Sequence, residues 1–192
     1  NPAPDWDGSV REGDNLYSDS LLAIDPKTGI RKWHFQYTPH DVWDYDGNTH
    51  IFLVDVEVDG KLVKAVAQAN RNGYFYLVDR TNGKFLHANA YVEQVNWATI
   101  DDNGRPVVDS AKTPQEEPTE RVCPSNMGGM NGAWSGAFNP DLGLVYISSV
   151  EACQHYQVGI SGFVKGMPYL GGMPVTVDVE AGKAYGHMTA IE

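Results

Sequence analysis

Two short strings in this 192-residue chain hold residue types that could do chemistry: Trp43-Asp44-Tyr45-Asp46-Gly47-Asn48 and Asn70-Arg71-Asn72-Gly73. A carboxylate can take a proton or offer oxygen to a hard cation, and a guanidinium can hold negative charge in place. Both strings are also turn-prone, because Asp and Asn bond to nearby backbone and Gly supplies the unusual φ. On local sequence alone, Asp44 reads as a turn aspartate before Gly47 and Arg71 as a surface turn residue. Cys123 and Cys153 are the two cysteines. They lack a CxxC, CxxCH or paired-His setting, so neither zinc nor attached haem is indicated, and spacing leaves open whether they are free thiols or a pair.

The elements that must carry these residues are short strands. Twenty Gly and eleven Pro interrupt helices and shape turns, which favours an all-β architecture. Ile51 to Val58, then Asp59-Gly60, then Lys61 to Val66 is a hairpin signal, with alternating apolar residues on both sides of the turn. A strand-to-turn pattern recurs. Ala23-Ile24-Asp25 leads to Thr28-Gly29, Leu77-Val78-Asp79 to Asn82-Gly83, and Ala137-Phe138-Asn139 to Leu142-Gly143, while Ala190-Ile191-Glu192 opens a fourth copy. The polar position falls at 25, 79, 139 and 192, a period suited to propeller blades of about four antiparallel strands. The stretch from Asn103 to Pro124 reads as a long excursion between strands.

A net charge of −11 without a Lys/Arg run argues against nucleic acid as a partner. No apolar stretch approaches the roughly 20 residues that span a bilayer as a helix. Asn1-Pro2-Ala3-Pro4 does not look like a signal peptide, and a start without Met suggests a fragment.

Ala23-x-Asp25-x-x-Thr28-Gly29-x-x-x-Trp33 resembles the tryptophan docking motif of quinoprotein alcohol dehydrogenases, which use pyrroloquinoline quinone (PQQ). Asn1 to Pro4, Thr38-Pro39-His40-Asp41-Val42-Trp43-Asp44, Asn70 to Gly73 followed by Asp79 to Gly83, and Cys123-Pro124-Ser125 with Met127-Gly128 are similar to that family in order and spacing. The resemblance implies that residues 1–192 are part of an eight-bladed β-propeller domain, about three blades of it. Docking tryptophans would lock each blade to the next; His87 and Ile147 stand at the corresponding places in the second and third copies.

The resemblance also implies roles. Asp44 is the base that takes the hydroxyl proton of a primary alcohol while hydride moves to PQQ. Asn1, Asp44 and Asp46 hold the metal, and Arg71 and Asn131 contact PQQ. Asp46 is the informative position: members resembling the calcium enzymes carry a small residue there and lanthanide-using members an aspartate, so a lanthanide is expected, with calcium second. An added anionic donor favours a trivalent ion because attraction scales with the product of charges. Cys123 and Cys153 match a disulfide-linked pair, which suits an oxidising bacterial periplasm. A soluble cytochrome c is the expected electron acceptor, which an acidic surface could attract.

The rival reading is a non-catalytic propeller scaffold of the outer-membrane assembly type, which has no use for Asp44, Asp46 and Arg71 together. A nicotinamide enzyme is disfavoured because no GxGxxG follows a strand. Among quinoproteins, the quoted strings favour alcohol over sugar oxidation.

Overall fold

The computed structural model describes residues 2–130, 132, 134–160, 162–178 and 185–192. The first sheet pairs β1 (Ser20–Ile24) with β2 (Arg31–Gln36). The second is a four-stranded antiparallel meander of β3 (Ile51–Val58), β4 (Lys61–Ala69), β5 (Tyr74–Asp79) and β6 (Phe85–Ala90). Short strands β7 (Ala98–Ile100) and β8 (Pro106–Val108) form a hairpin. A third sheet follows, built from β9 (Ala137–Asn139), β10 (Leu144–Glu151) and β13 (Tyr185–Ile191), while β11 (Cys153–Val158) and β12 (Gly172–Asp178) make a separate hairpin. Every pairing is antiparallel, as the all-β reading requires. Among the described residues no helix is long and apolar enough to cross a membrane.

The turns behave as their residues dictate. Asp59 and Gly60 both take positive φ, 51° and 73°, which matches the strand twist on either side of a two-residue hairpin. In the recurrent turns, Asp25 Oδ1 accepts from the Lys27 and Thr28 N–H groups and Asp79 Oδ1 from Thr81 N–H, with Gly29 and Gly83 closing each turn at positive φ.

The four copies are not equivalent, which corrects the repeat reading. The 79–83 turn joins the third and fourth strands of its sheet, whereas the 139–143 turn joins β9 to β10, the first and second strands of theirs. The true counterpart of Asp79 is Glu192, which follows β13, the third strand. One period therefore contains both the 92–136 excursion and the β11–β12 hairpin. The comparison of Ile147 with Trp33 lapses, since Ile147 lies in a second strand, and His87 in β6 is the proper counterpart. Of the three sheets only the middle one shows four strands among the described residues.

Sheet-to-sheet packing matches the docking expectation at one junction. Trp33 lies flat against Gly83 of the next sheet, so closely that a Cβ there would stand 2.8 Å from its indole. Phe35, Tyr37, Val66, Tyr76 and Val78 fill the same junction. Ala69, Tyr91, Met130, Val145 and Ile147 fill the next one. There His87 borders a cavity of about 440 Å³.

Candidate functional site

Burial alternates along the first chemical string. Trp43 and Tyr45 are buried, stack on each other at 5.9 Å between ring centroids and join Trp6, Trp97 and Tyr156 in an aromatic cluster. Asp44 and Asp46, between and after them, stay partly exposed. The cluster therefore anchors the main chain and leaves two carboxylates outside it. Asp41 locks the bend from within: fully buried, it accepts the Trp43 N–H on one carboxylate oxygen and the Tyr45 N–H on the other, each at 2.9 Å. Asp44 itself sits at φ 63°, a left-handed conformation that Asp tolerates better than most residues.

The second string forms the turn its residues favour, yet Arg71 is not a surface residue. Asn70 Oδ1 accepts from Asn72 N–H, Asn72 Oδ1 accepts from Tyr74 N–H, and Gly73 takes φ 96°. Arg71 is only 7% exposed. Its Nη1 donates to the Asp44 main-chain oxygen at 2.9 Å and stands 3.9 Å from Asp44 Oδ2. Folding thus brings Arg71, in the β4–β5 turn, against Asp44, in a loop after β2, with Asp46 near enough to act on Asp44 as a like charge. Asn1 and Asn131 lie outside the described residues.

Three further residues support this group and were not singled out by their sequence. Asn126, in the excursion after Cys123, donates its amide to Asp44 Oδ2 at 3.0 Å. Asp41 was visible as part of the Pro-His-Asp string, and its offset of two and four residues from its N–H donors was the available signal. Asp19 had no local signal. Its buried Oδ1 accepts from Asn70 Nδ2 at 2.8 Å and lies against Gly47, where an added Cβ would meet it at 2.3 Å.

The carboxyls are electrostatically strained upward. Burial raises the Asp44 carboxyl above its ordinary value, the Asn126 hydrogen bond opposes this, Asp46 pushes it up as a like charge, and Arg71 pulls it down. Burial lifts Asp41 to about 7 and Asp19 to about 8, the latter helped by the Asp41 charge.

These features suit a hard cation beside an anionic, oxygen-rich organic group. A cation would relieve the repulsion that Asp46 exerts on Asp44, and both carboxylates are hard donors. The buried Arg71 Nε has no hydrogen-bond partner among the described residues, so the guanidinium keeps a donor for a further oxygen. No three His, Cys, Asp or Glu side chains among the described residues form a metal-binding group. Completing a coordination shell would draw on other oxygen donors.

Cys123 and Cys153, both buried, are joined by a disulfide, S–S 2.09 Å. It fastens the excursion that carries Asn126 to the start of β11.

Comparison with known proteins agrees with this architecture. Residues 1–89 match the family described as glucose/ethanol/alcohol dehydrogenase, beta-propeller domain, of the PQQ type. Quinoprotein alcohol dehydrogenase PedH of Pseudomonas putida is 44% identical over 180 residues, 89% of this chain and 30% of that protein. The lanthanide-dependent methanol dehydrogenase of Methylacidiphilum fumariolicum is 36% identical over 170 residues, 86% of this chain and 28% of that one. The crystal structure of the quinohemoprotein alcohol dehydrogenase from Comamonas testosteroni superposes with a TM-score of 0.82 at 33% identity, covering 97% of this chain and 29% of its own. The chain thus spans about 30% of the length of the relatives it matches. With its antiparallel sheets docked through Trp33 and its sequence matched along most of its length, the chain belongs to the PQQ-dependent quinoprotein alcohol dehydrogenase family, within the β-propeller of that family.

Proposed function

We propose that the whole protein oxidises a primary alcohol to an aldehyde, and that this chain supplies the base and part of the metal and quinone seat. The observation that carries the reading is the approach of Arg71 to Asp44, with Asp46 near enough to push the Asp44 carboxyl up as a like charge. Asp44 takes the hydroxyl proton; its partial exposure, 24% of the side chain, leaves it open to a substrate. Arg71 braces the Asp44 turn through the main chain and keeps a guanidinium edge for quinone oxygens. Asp44 and Asp46 would hold the cation, joined by Asn1, and Asn131 would join Arg71 at the quinone. When bound, PQQ supplies the hydride acceptor and the cation polarises it.

Asp46 favours a lanthanide, with calcium second, and one relative named for lanthanide dependence supports that order. A soluble cytochrome c receives the electrons, consistent with the acidic composition. The Cys123–Cys153 disulfide suits a periplasmic setting.

The deciding experiment reconstitutes the full-length protein with PQQ and either a lanthanide or calcium and follows alcohol-dependent dye reduction. Turnover with primary alcohols, greater with the lanthanide, is expected. No turnover with either metal would leave the non-catalytic scaffold as the reading.

A further inference from the structure

We infer that Asn126 is a positioning residue for Asp44, set at its working distance by the hydroxyl of Tyr156. The inference rests on the reading of Asp44 as the base.

The Asp44 carboxylate needs an outside group to fix its direction. Arg71 spends its short bond on the Asp44 main-chain oxygen and stays 3.9 Å from the carboxylate. Among the described residues, Asn126 Nδ2 is the side-chain donor within hydrogen-bond reach of Asp44 Oδ2, at 3.0 Å. Turning the amide over would set two acceptor oxygens against each other, so one orientation is favoured. Asn126 is 9% exposed and its Oδ1 has no partner among the described residues.

The two partners come from segments more than eighty positions apart, yet one phenol touches the backbone of both. Tyr156 OH accepts from Asn126 N–H at 3.0 Å and donates to the main-chain oxygen of Trp43, the residue before Asp44, at 3.1 Å. Tyr156 is fully buried, and burial pushes its phenol far up, so the hydroxyl keeps the proton it donates. The bridge is itself anchored. Ser125 N–H donates to Ala152 O at 2.7 Å, Gly129 and Val150 exchange two bonds, and the Cys123–Cys153 disulfide closes the other end. Tyr156 lies on β11, the strand that begins at Cys153.

The test uses the full-length, PQQ- and metal-loaded enzyme. Asn126→Ala is expected to lower kcat about 10- to 100-fold, the order that a misplaced catalytic group costs, with KM for the alcohol changed less than about 3-fold and with PQQ and metal content unchanged. Tyr156→Phe keeps the core volume and removes only the bridge; a smaller loss of kcat with the same KM pattern is expected, and it carries the test where Asn126→Ala does not fold. Crystal structures of the variants should show the Asp44 side chain turned from its wild-type torsion. An unmoved Asp44 with wild-type kcat, or a loss of kcat that simply follows lost PQQ and metal, would overturn the inference. If the wild-type enzyme oxidises no alcohol, the proposed function fails by itself, and the Asp44 torsion in the variants still decides whether Asn126 positions it.

Discussion

Arg71 holds Asp44 by the backbone, its Nη1 2.9 Å from the main-chain oxygen and 3.9 Å from the carboxylate. The arginine therefore braces the turn without fully neutralising the side chain it carries. Lys at position 71 would offer a point charge on a flexible stem in place of a planar fork. Arg71→Lys is expected to reduce kcat/KM by about 10- to 100-fold while leaving the metal bound, measured by steady-state kinetics and metal analysis; wild-type kinetics would contradict the bracing role. Asp44→Asn should remove general-base catalysis, a loss of about 10²- to 10⁴-fold in kcat.

Asp46 raises the Asp44 carboxyl as a neighbouring like charge. Asp46→Ala removes that charge and one hard donor. Lanthanide-supported turnover should disappear in the reconstituted enzyme, with calcium-supported turnover less affected. Equal activity with a lanthanide before and after the substitution would rule out Asp46 as the selecting residue.

Asp19 and Asp41 give the metal-free protein an unusual pH dependence. Their folded values, about 8 and about 7, lie above the unfolded value of about 3.9. Between those limits the folded state holds protons that the unfolded state has released, so stability falls as pH rises, by at most about 1.4 kcal/mol per pH unit for each group. Above pH 8 the effect is complete. Urea titrations of the full-length apoprotein from pH 5 to pH 8 should show the decline, and Asp19→Asn, which accepts the φ of 40° at this position, should make it shallower while leaving the share that Asp41 contributes up to about pH 7. An equally steep decline in that variant would remove Asp19 as a source.

Gly83 and Gly143 close similar turns at φ 80° and 69°. They differ in what lies above them, since a Cβ at 83 meets the Trp33 ring and one at 143 meets nothing within 4 Å. Gly83→Ala should therefore cost about 1–3 kcal/mol more than Gly143→Ala, measured by denaturant unfolding. Equal costs would show that the Trp33 contact contributes little.

Breaking the Cys123–Cys153 bridge by a double Ser substitution should lower stability by about 2–5 kcal/mol. Mass analysis of the peptides that carry Cys123 and Cys153 should find neither thiol alkylated before reduction and both alkylated after it.

Much of this protein is written locally. Asp59-Gly60 sets a hairpin because both residues accept positive φ, and Asp25 and Asp79 set turns because their carboxylates reach backbone N–H groups two residues on. The strings Trp43 to Asn48 and Asn70 to Gly73, through their resemblance to the quinoprotein family, mark Asp44, Asp46 and Arg71 in the sequence itself. What the local pattern could not decide was strand order. Asn139 to Gly143 spells nearly the same turn as Asp79 to Gly83, but which neighbours a strand pairs with depends on long-range hydrogen bonding, and that made one turn the first of its sheet and the other the last. Tertiary structure also decided that Arg71 is buried, that Asn126 meets Asp44, and that Asp19 lies under Gly47, because each contact joins segments that only sheet packing brings within a few ångströms.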